Sequence, residues 1–274
     1  MPLTNSTRLR SRIRFLLGAF AALCGSSFVS AASDPAPASP RPILVELFTS
    51  EGCSSCPPAD DLLRDLANTQ PVAGALVVPL GEHVDYWNRL GWTDPFSSAE
   101  FSARQGRYVD VLGAIGTYTP QMVVDGRAEF LGSKRDAAIE AIGAAAREPK
   151  GELKVEVGTA GADARSIEIR FEASGLPTTV KPGGIEWFVV FTESGLERKI
   201  GGGENGGRTL RHAAVVRSFE PVRAERSGEG APFTGKAAIR IDASWKRDAL
   251  RAVVFAQEKK SRRVLAVGTA AVGK

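Results

Sequence analysis

Cysteine and histidine are scarce in this chain, with three of the first and two of the second among 274 residues. They make no four-ligand zinc spacing, and no Ser-His-Asp spacing marks a hydrolase triad. The glycine-rich run Gly201-Gly202-Gly203-Glu204-Asn205-Gly206-Gly207 lacks a Gly-Lys-Ser/Thr end and enters an apparent strand, so it is not a nucleotide loop. It reads either as a loop that touches the first part of the chain or a partner, or as a wide turn. Beyond the first residues no apolar stretch is long enough for a membrane span. An excess of charge is also missing. Four of the 35 Lys and Arg lie before residue 31, and the 31 that remain balance the 31 Asp and Glu. The basic character therefore belongs to the N-terminus and gives no argument for nucleic acid.

That N-terminus has its own order. Arg8, Arg10, Arg12 and Arg14 precede an apolar core over 15–23, and Ser30-Ala31-Ala32 supplies small residues for cleavage. This is the layout of a secretory signal over 1–31, with a short anchor as the alternative. It predicts an exported, periplasmic protein. Leu23 before Cys24 is not the small residue that a lipidation site needs, so Cys24 falls inside the removed signal. Residues 32–41 form a proline-rich lead. Only Cys53 and Cys56 then remain, enough for one bridge but not for a multi-bridge scaffold.

The pair sits in Glu51-Gly52-Cys53-Ser54-Ser55-Cys56-Pro57-Pro58, directly after the apolar run 43–48. Two thiols two residues apart, where a strand turns into a helix, is the layout of a thioredoxin-like dithiol. Unpaired N–H groups and the positive dipole end stabilise a thiolate there. Metal handling and a structural disulfide are the competing readings. Pro57-Pro58 removes two N–H groups and predicts a distorted first helical turn.

Roughly 240 residues follow the signal, room for one large domain or two modest ones. Over 42–149 strands and helices alternate. The periodicity predicts strands at 43–48 and 75–80, the second ending near Pro79, with a helix over 58–67 between them. A second helix over 97–111 opens with the capping-box match Ser97-Ser98-Ala99-Glu100. A hairpin 121–124 to 128–131 turns at Asp125-Gly126, and Ser133 caps a last helix. Thr119-Pro120 at the hairpin entrance is the place of a cis proline in thioredoxin-like proteins. Over 150–274 short alternating runs replace this pattern, at 153–157, 166–171, 185–191, 210–219, 237–241, 250–256 and 264–267. They predict an all-β, sandwich-like domain.

Val45-Glu46-Leu47-Phe48-Thr49-Ser50-Glu51-Gly52-Cys53-Ser54-Ser55-Cys56-Pro57-Pro58-Ala59-Asp60 resembles a narrower group than thioredoxins at large. With His83-Val84-Asp85-Tyr86-Trp87, Gly91-Trp92, Asp94, Tyr118-Thr119-Pro120-Gln121, Gly206-Gly207-Arg208-Thr209-Leu210-Arg211-His212 and Val215-Val216-Arg217, the chain is similar to an uncharacterised family of exported bacterial thioredoxin-like proteins, the domain of unknown function 1223. The resemblance implies an α/β thioredoxin-like domain followed by the all-β domain. Electron transfer is implied only by the wider superfamily. Gly52 and Ser54-Ser55 replace the tryptophan and the glycine-proline of ordinary thioredoxins.

These motifs nominate site residues. Cys53 is the nucleophile and the more exposed cysteine, with Cys56 resolving. Thr119, Pro120 and Trp87 form the substrate-binding edge, and Tyr86 and Trp92 share an apolar lip or pack the following connection. His83 and Asp85 are candidates for proton transfer, or else bond a nearby carbonyl and cap a turn. Glu46 either approaches the sheet beneath the site or makes an edge salt bridge. His212, among Arg208, Arg211 and Arg217, belongs to a solvated basic face or else to a binding surface for an acidic partner. Thiol–disulfide exchange with a disulfide- or dithiol-bearing exported protein follows, needing no cofactor. Two alternatives stand beside it: a Cu(I) module using Cys53, Cys56 and His83, and a non-catalytic envelope binding protein with a structural disulfide.

Overall fold

The computed structural model describes residues 39–160 and 165–273. The signal, Cys24 and residues 32–38 of the proline-rich lead lie outside them. Fourteen strands and three α-helices follow in order. Strand β1 (Arg41–Thr49) leads into α1 (Pro57–Thr69), β2 (Ala75–His83) and α2 (Ala99–Leu112). The hairpin β3 (Gln121–Val124) and β4 (Ala128–Leu131) then precedes α3 (Arg135–Arg147). The remainder is extended: β5 (Glu152–Ala160), β6 (Ser166–Ser174), β7 (Ile185–Glu193), β8 (Leu196–Lys199), β9 (Thr209–His212), β10 (Val215–Val222), β11 (Ala224–Arg226), β12 (Phe233–Arg240), β13 (Leu250–Glu258) and β14 (Val264–Ala271).

Strands from both parts share one eight-stranded sheet, in the order β14-β13-β7-β10-β2-β1-β3-β4. Within it β1 is parallel to β2 and antiparallel to β3, the core of a thioredoxin-like fold. Alternation along β1 sends Ile43, Val45 and Leu47 to one face, where Leu62, Leu63 and Leu66 of α1 and Ala138 and Ile142 of α3 cover them. Leu44 and Phe48 point the other way, toward the side that holds Phe101 and Tyr108 of α2. A second sheet, β11-β12-β6-β5, lies over the far end of the first. Ile167, Ile169 and Phe171 meet Trp187, Val189 and Val254 there, which makes that end a sandwich.

Local details depart from expectation for identifiable reasons. Strand β2 runs through Pro79 to His83. Its only pairing with β10 is Val215 opposite Gly81, so the N–H that Pro79 lacks leaves no rung of that ladder unmade. The α2 cap is Ser98, which accepts from the Glu100 N–H at 3.1 Å, not Ser97. Ser133 does not cap α3, whose N-terminal flank is Lys134. The 210–219 run is broken into β9 and β10 at Ala214, which has φ +53°. The Asp125-Gly126 turn forms as expected, both residues being left-handed at +50° and +62°. At Gly81 a Cβ would stand 3.3 Å from the carbonyl oxygens of Ala213 and Ala214, so glycine admits β10 to the edge of β2.

Beneath α2 lies a fully buried polar cluster. Arg104 donates to Glu46 at 2.6 Å and to Gln257 of β13 at 3.1 Å, and the Tyr108 hydroxyl donates to Glu46 at 2.5 Å. The carboxyl of Glu82 is 3.6 Å from Arg104 and has no hydrogen-bond partner among the described residues. Burial, reinforced by the Glu46 carboxylate, pushes its pKa well above the ordinary range despite Arg104.

Two predictions follow from the packing. Gly81→Val should cost about 1–3 kcal/mol, by over-packing the β2–β10 junction, in a urea melt. Glu82 stays neutral in the folded chain but ionises on unfolding once the pH exceeds its unfolded value of about 4.3. Its contribution is favourable only below that value and is lost as pH rises toward the raised folded one. Glu82→Gln should therefore gain stability relative to the parent as pH rises from about 4.3 toward the raised folded value. A difference independent of pH would contradict this.

Candidate redox site

Cys53 and Cys56 are joined in a disulfide at the junction of β1 and α1. Helix α1 starts regularly at Pro57, against the expected distortion, because prolines at the first two helical positions need no N–H. The N–H groups of Ala59 and Asp60 go to the Cys56 carbonyl at 2.8 and 3.1 Å. Few backbone donors are therefore left for a thiolate. Ser55 Oγ lies 3.3 Å from Cys53 Sγ and can donate to that sulfur in its reduced form.

The Thr119–Pro120 bond is cis. Trp87 connects it to the dithiol loop: its indole N–H donates to Thr119 Oγ1 at 2.8 Å, and its Cβ stands 3.3 Å from where a Cβ on Gly52 would be. Parallel pairing sets His83 opposite Thr49, at the same end of the sheet as the dithiol. Asp85 is not its partner. Strand β2 ends at His83, and the Asp85 carboxylate turns to the Ser102 hydroxyl of α2 at 2.5 Å.

The partner of His83 is Asp94, 2.6 Å from Nδ1. Burial works against both charges, yet each is stabilised by the other. His83 is raised above its ordinary value, and Asp94 is lowered to about 2 with help from the N–H groups of Glu51 and Phe96. The same Asp94 oxygen accepts from the Glu51 N–H at 2.8 Å. Glu51 itself is fully buried beside the cysteines. Its carboxylate meets His212 Nε2 at 3.1 Å and the Trp92 indole N–H at 2.9 Å, with Arg198 Nε at 3.3 Å. Trp92 is thus an anchor beneath the loop.

His212 corrects the expectation of a solvated basic face. It is 3 % exposed, its ring 5.0 Å from that of His83. Strand β9 alternates Leu210 and His212 inward with Thr209 and Arg211 outward, and this period-two pattern was the available signal. Asp60, one turn after Cys56, completes the cluster. Burial raises its carboxyl to about 6, although His212 and His83 pull it down. A cleft of about 210 Å³, lined in part by Asp60, Arg64 and Arg211, runs between α1 and β9. Glu46 takes no part in this cluster. It lies on the opposite sheet face, in the buried ion pair with Arg104.

Exposure is the largest departure. Cys53 and Cys56 are both fully buried, where an accessible Cys53 was expected. The glycine-rich loop 201–207 is fastened to the backbone around Cys53. Asn205 donates to the carbonyls of Glu51 and Cys53 at 2.9 and 2.8 Å, and Glu204 accepts from the Ser54 N–H at 3.0 Å. The second part of the chain thus reaches the dithiol loop, the first of the two readings of the glycine-rich run.

A dithiol disulfide at this junction, with a cis proline tied to it, defines a thioredoxin-like thiol–disulfide protein. The chain belongs to the family described as "Protein of unknown function (DUF1223)", whose model matches residues 44–257. A protein of Agrobacterium tumefaciens from a structural genomics programme shares the fold at 24 % identity, with TM-score 0.62 over 85 % of this chain and 95 % of that one. HBP35 of Porphyromonas gingivalis is similar at 12 % identity and TM-score 0.59, over 86 % of this chain and 77 % of that one. Both likenesses concern the fold. No curated protein matches the chain. Among the described residues no helix is long and apolar enough to cross a membrane, and no group of three or more His, Cys, Asp or Glu is placed to hold a metal ion.

The His83–Asp94 pair carries its own prediction. The Asp94 contribution is present above its unfolded value of about 3.9 and lost as pH falls through the folded value of about 2. The His83 contribution is full below its unfolded value of about 6.5 and lost as pH rises through the raised one. Asp94→Asn should cost about 3–5 kcal/mol, most of it between roughly pH 4 and 6.5, and should lower the His83 pKa followed by NMR. A loss of the same size inside and outside that window would exclude an ion pair.

Proposed function

We propose that this protein carries out thiol–disulfide exchange on exported proteins through Cys53 and Cys56. The observation that carries the reading is the Cys53–Cys56 bond at the β1–α1 junction, linked through Trp87 to the cis Thr119–Pro120 bond. In the reducing direction the Cys53 thiolate attacks a substrate disulfide. A mixed disulfide forms and the first substrate sulfur leaves as a thiolate. Cys56 then attacks the Cys53 sulfur, which closes the 53–56 bond and releases the second substrate thiolate. Two electrons pass from the protein dithiol to the substrate, and the released thiolates take up two protons. The reverse sequence inserts a disulfide. Thr119 at the cis bond, held by Trp87, would be the edge where an extended substrate pairs, and the His83–Asp94 pair with Asp60 and His212 would serve proton traffic near the cysteines. Asp85 has no role in this scheme. The N-terminal order of arginines and apolar residues supports export to the periplasm, and the boundary near residue 149 supports a thioredoxin-like unit followed by a β unit.

One observation favours the structural-disulfide reading instead, namely that both sulfur-bearing residues are fully buried. Cu(I) handling is less favoured, since the two sulfurs are bonded to each other and soft thiolates exist only after reduction.

An anaerobic redox titration with thiol labelling separates the readings. Exchange predicts a reversible two-electron couple in the folded protein. Cys53→Ser should abolish turnover of a disulfide peptide, and Cys56→Ser should accumulate mixed disulfides. A bond that yields only on unfolding would identify a structural disulfide.

A further inference from the structure

We propose that residues 201–207 are a cap that must open before the dithiol can exchange, and that Glu204 and Asn205 are positioning residues that hold Cys53 unreactive while it is closed. This rests on the exchange reading above and adds its control.

The first support is coverage. Exchange requires a thiolate to approach a sulfur in line with the S–S bond. Both cysteines are at 0 % exposure, so the closed structure offers no such path. Asn205 is fully buried as well. Its amide nitrogen donates to Glu51 O and Cys53 O, and its amide oxygen accepts from Arg208 at 2.7 Å. One side chain thus fastens the carbonyls on both sides of Gly52.

The second support is charge. The backbone N–H groups around the first cysteine are the ones that favour a thiolate at a helix entrance. Here Pro57 and Pro58 have none, and Ala59 and Asp60 donate to Cys56 O. The Ser54 N–H is taken by the carboxylate of Glu204. A negative group within one residue of Cys53 opposes a second negative charge on its sulfur. Opening the cap removes that carboxylate and frees that N–H together.

The third support is the construction of the loop. It begins with three glycines and ends with two, and Gly203 and Gly207 have φ of +65° and +83°. It seats on the Leu90-Gly91-Trp92 turn, where a Cβ on Gly202 would come 2.4 Å from the Gly91 carbonyl oxygen and one on Gly203 3.0 Å from Trp92 Cβ. The seat tolerates no added side-chain volume, yet the chain at either end has the rotational freedom of glycine.

The test measures reduction of the 53–56 bond in the folded full chain by dithiothreitol, which becomes its cyclic disulfide as two protein thiols form. The same chain in urea supplies the uncapped rate. Three variants loosen the cap without touching a cysteine: Asn205→Ala removes the fastening, Gly202→Ala unseats the loop, and Glu204→Gln keeps an acceptor but removes the charge. The folded parent should react at least about tenfold slower than the urea-unfolded chain, and Asn205→Ala and Gly202→Ala should each recover about tenfold with circular dichroism unchanged. Glu204→Gln should speed iodoacetamide alkylation of Cys53 in the reduced, Cys56→Ser background, and more at low than at high salt, a salt dependence that loosened packing alone does not produce. A parent that reacts as fast as the unfolded chain overturns the proposal. So do folded Asn205→Ala and Gly202→Ala proteins that react at the parental rate. Loosened variants that reduce quickly but pass no electrons to a disulfide peptide would uphold the cap and overturn the exchange reading.

Discussion

Glu51 is the residue on which the site depends. Its carboxylate is buried without solvent, a state that needs compensation from every side. That compensation comes from Trp92 on the connection after β2 and from His212 and Arg198 of the β8–β9 ribbon. Its N–H is bound by Asp94 and its carbonyl by Asn205. Four segments distant in sequence are thereby fixed to the residue two places before Cys53. A charge placed there makes the dithiol loop rigid, because every alternative geometry leaves an ion unpaired in a medium of low polarity.

The arrangement works because the two parts of the chain share a sheet. Strand β10 pairs with β2 at Gly81, and strand β9 packs against α1. Beneath α2 the cluster of Glu46, Glu82, Arg104 and Tyr108 reaches across to Gln257 of β13. Polar groups buried on both sheet faces thus tie the β-rich part to the thioredoxin-like part. The interface resembles a domain interior more than a contact between separable modules.

Much of the first part was legible from local pattern. Leu62, Leu63 and Leu66 repeat at helical spacing, and the helix they predict is α1. Asp125-Gly126 requires left-handed backbone, and both residues adopt it. The cysteine pair and Thr119-Pro120 point to a fold known for joining them, and the cis bond is present. Asp85 misled because nearness in sequence to His83 is not nearness in space once the strand has ended. Ser133 misled because a cap is chosen by where the chain enters the helix, and it enters at Lys134.

What the sequence by itself determined is what a dozen or so neighbouring residues can specify. That covers the order of helices and strands, the disulfide partners available to one another, and the end of the sheet where they lie. What only the tertiary structure decided is the environment of that disulfide. His212 and Glu51 are 161 positions apart, and Asn205 and Cys53 are 152 apart. An alternation of Thr, Leu, Arg and His shows that one histidine face is inward but not what it meets. A run of glycines likewise shows that a loop is free to bend but not that it bonds the backbone around Cys53. Those facts arise when β10 docks on β2, because strand pairing and the pairing of buried charges are settled between segments that carry no local record of each other.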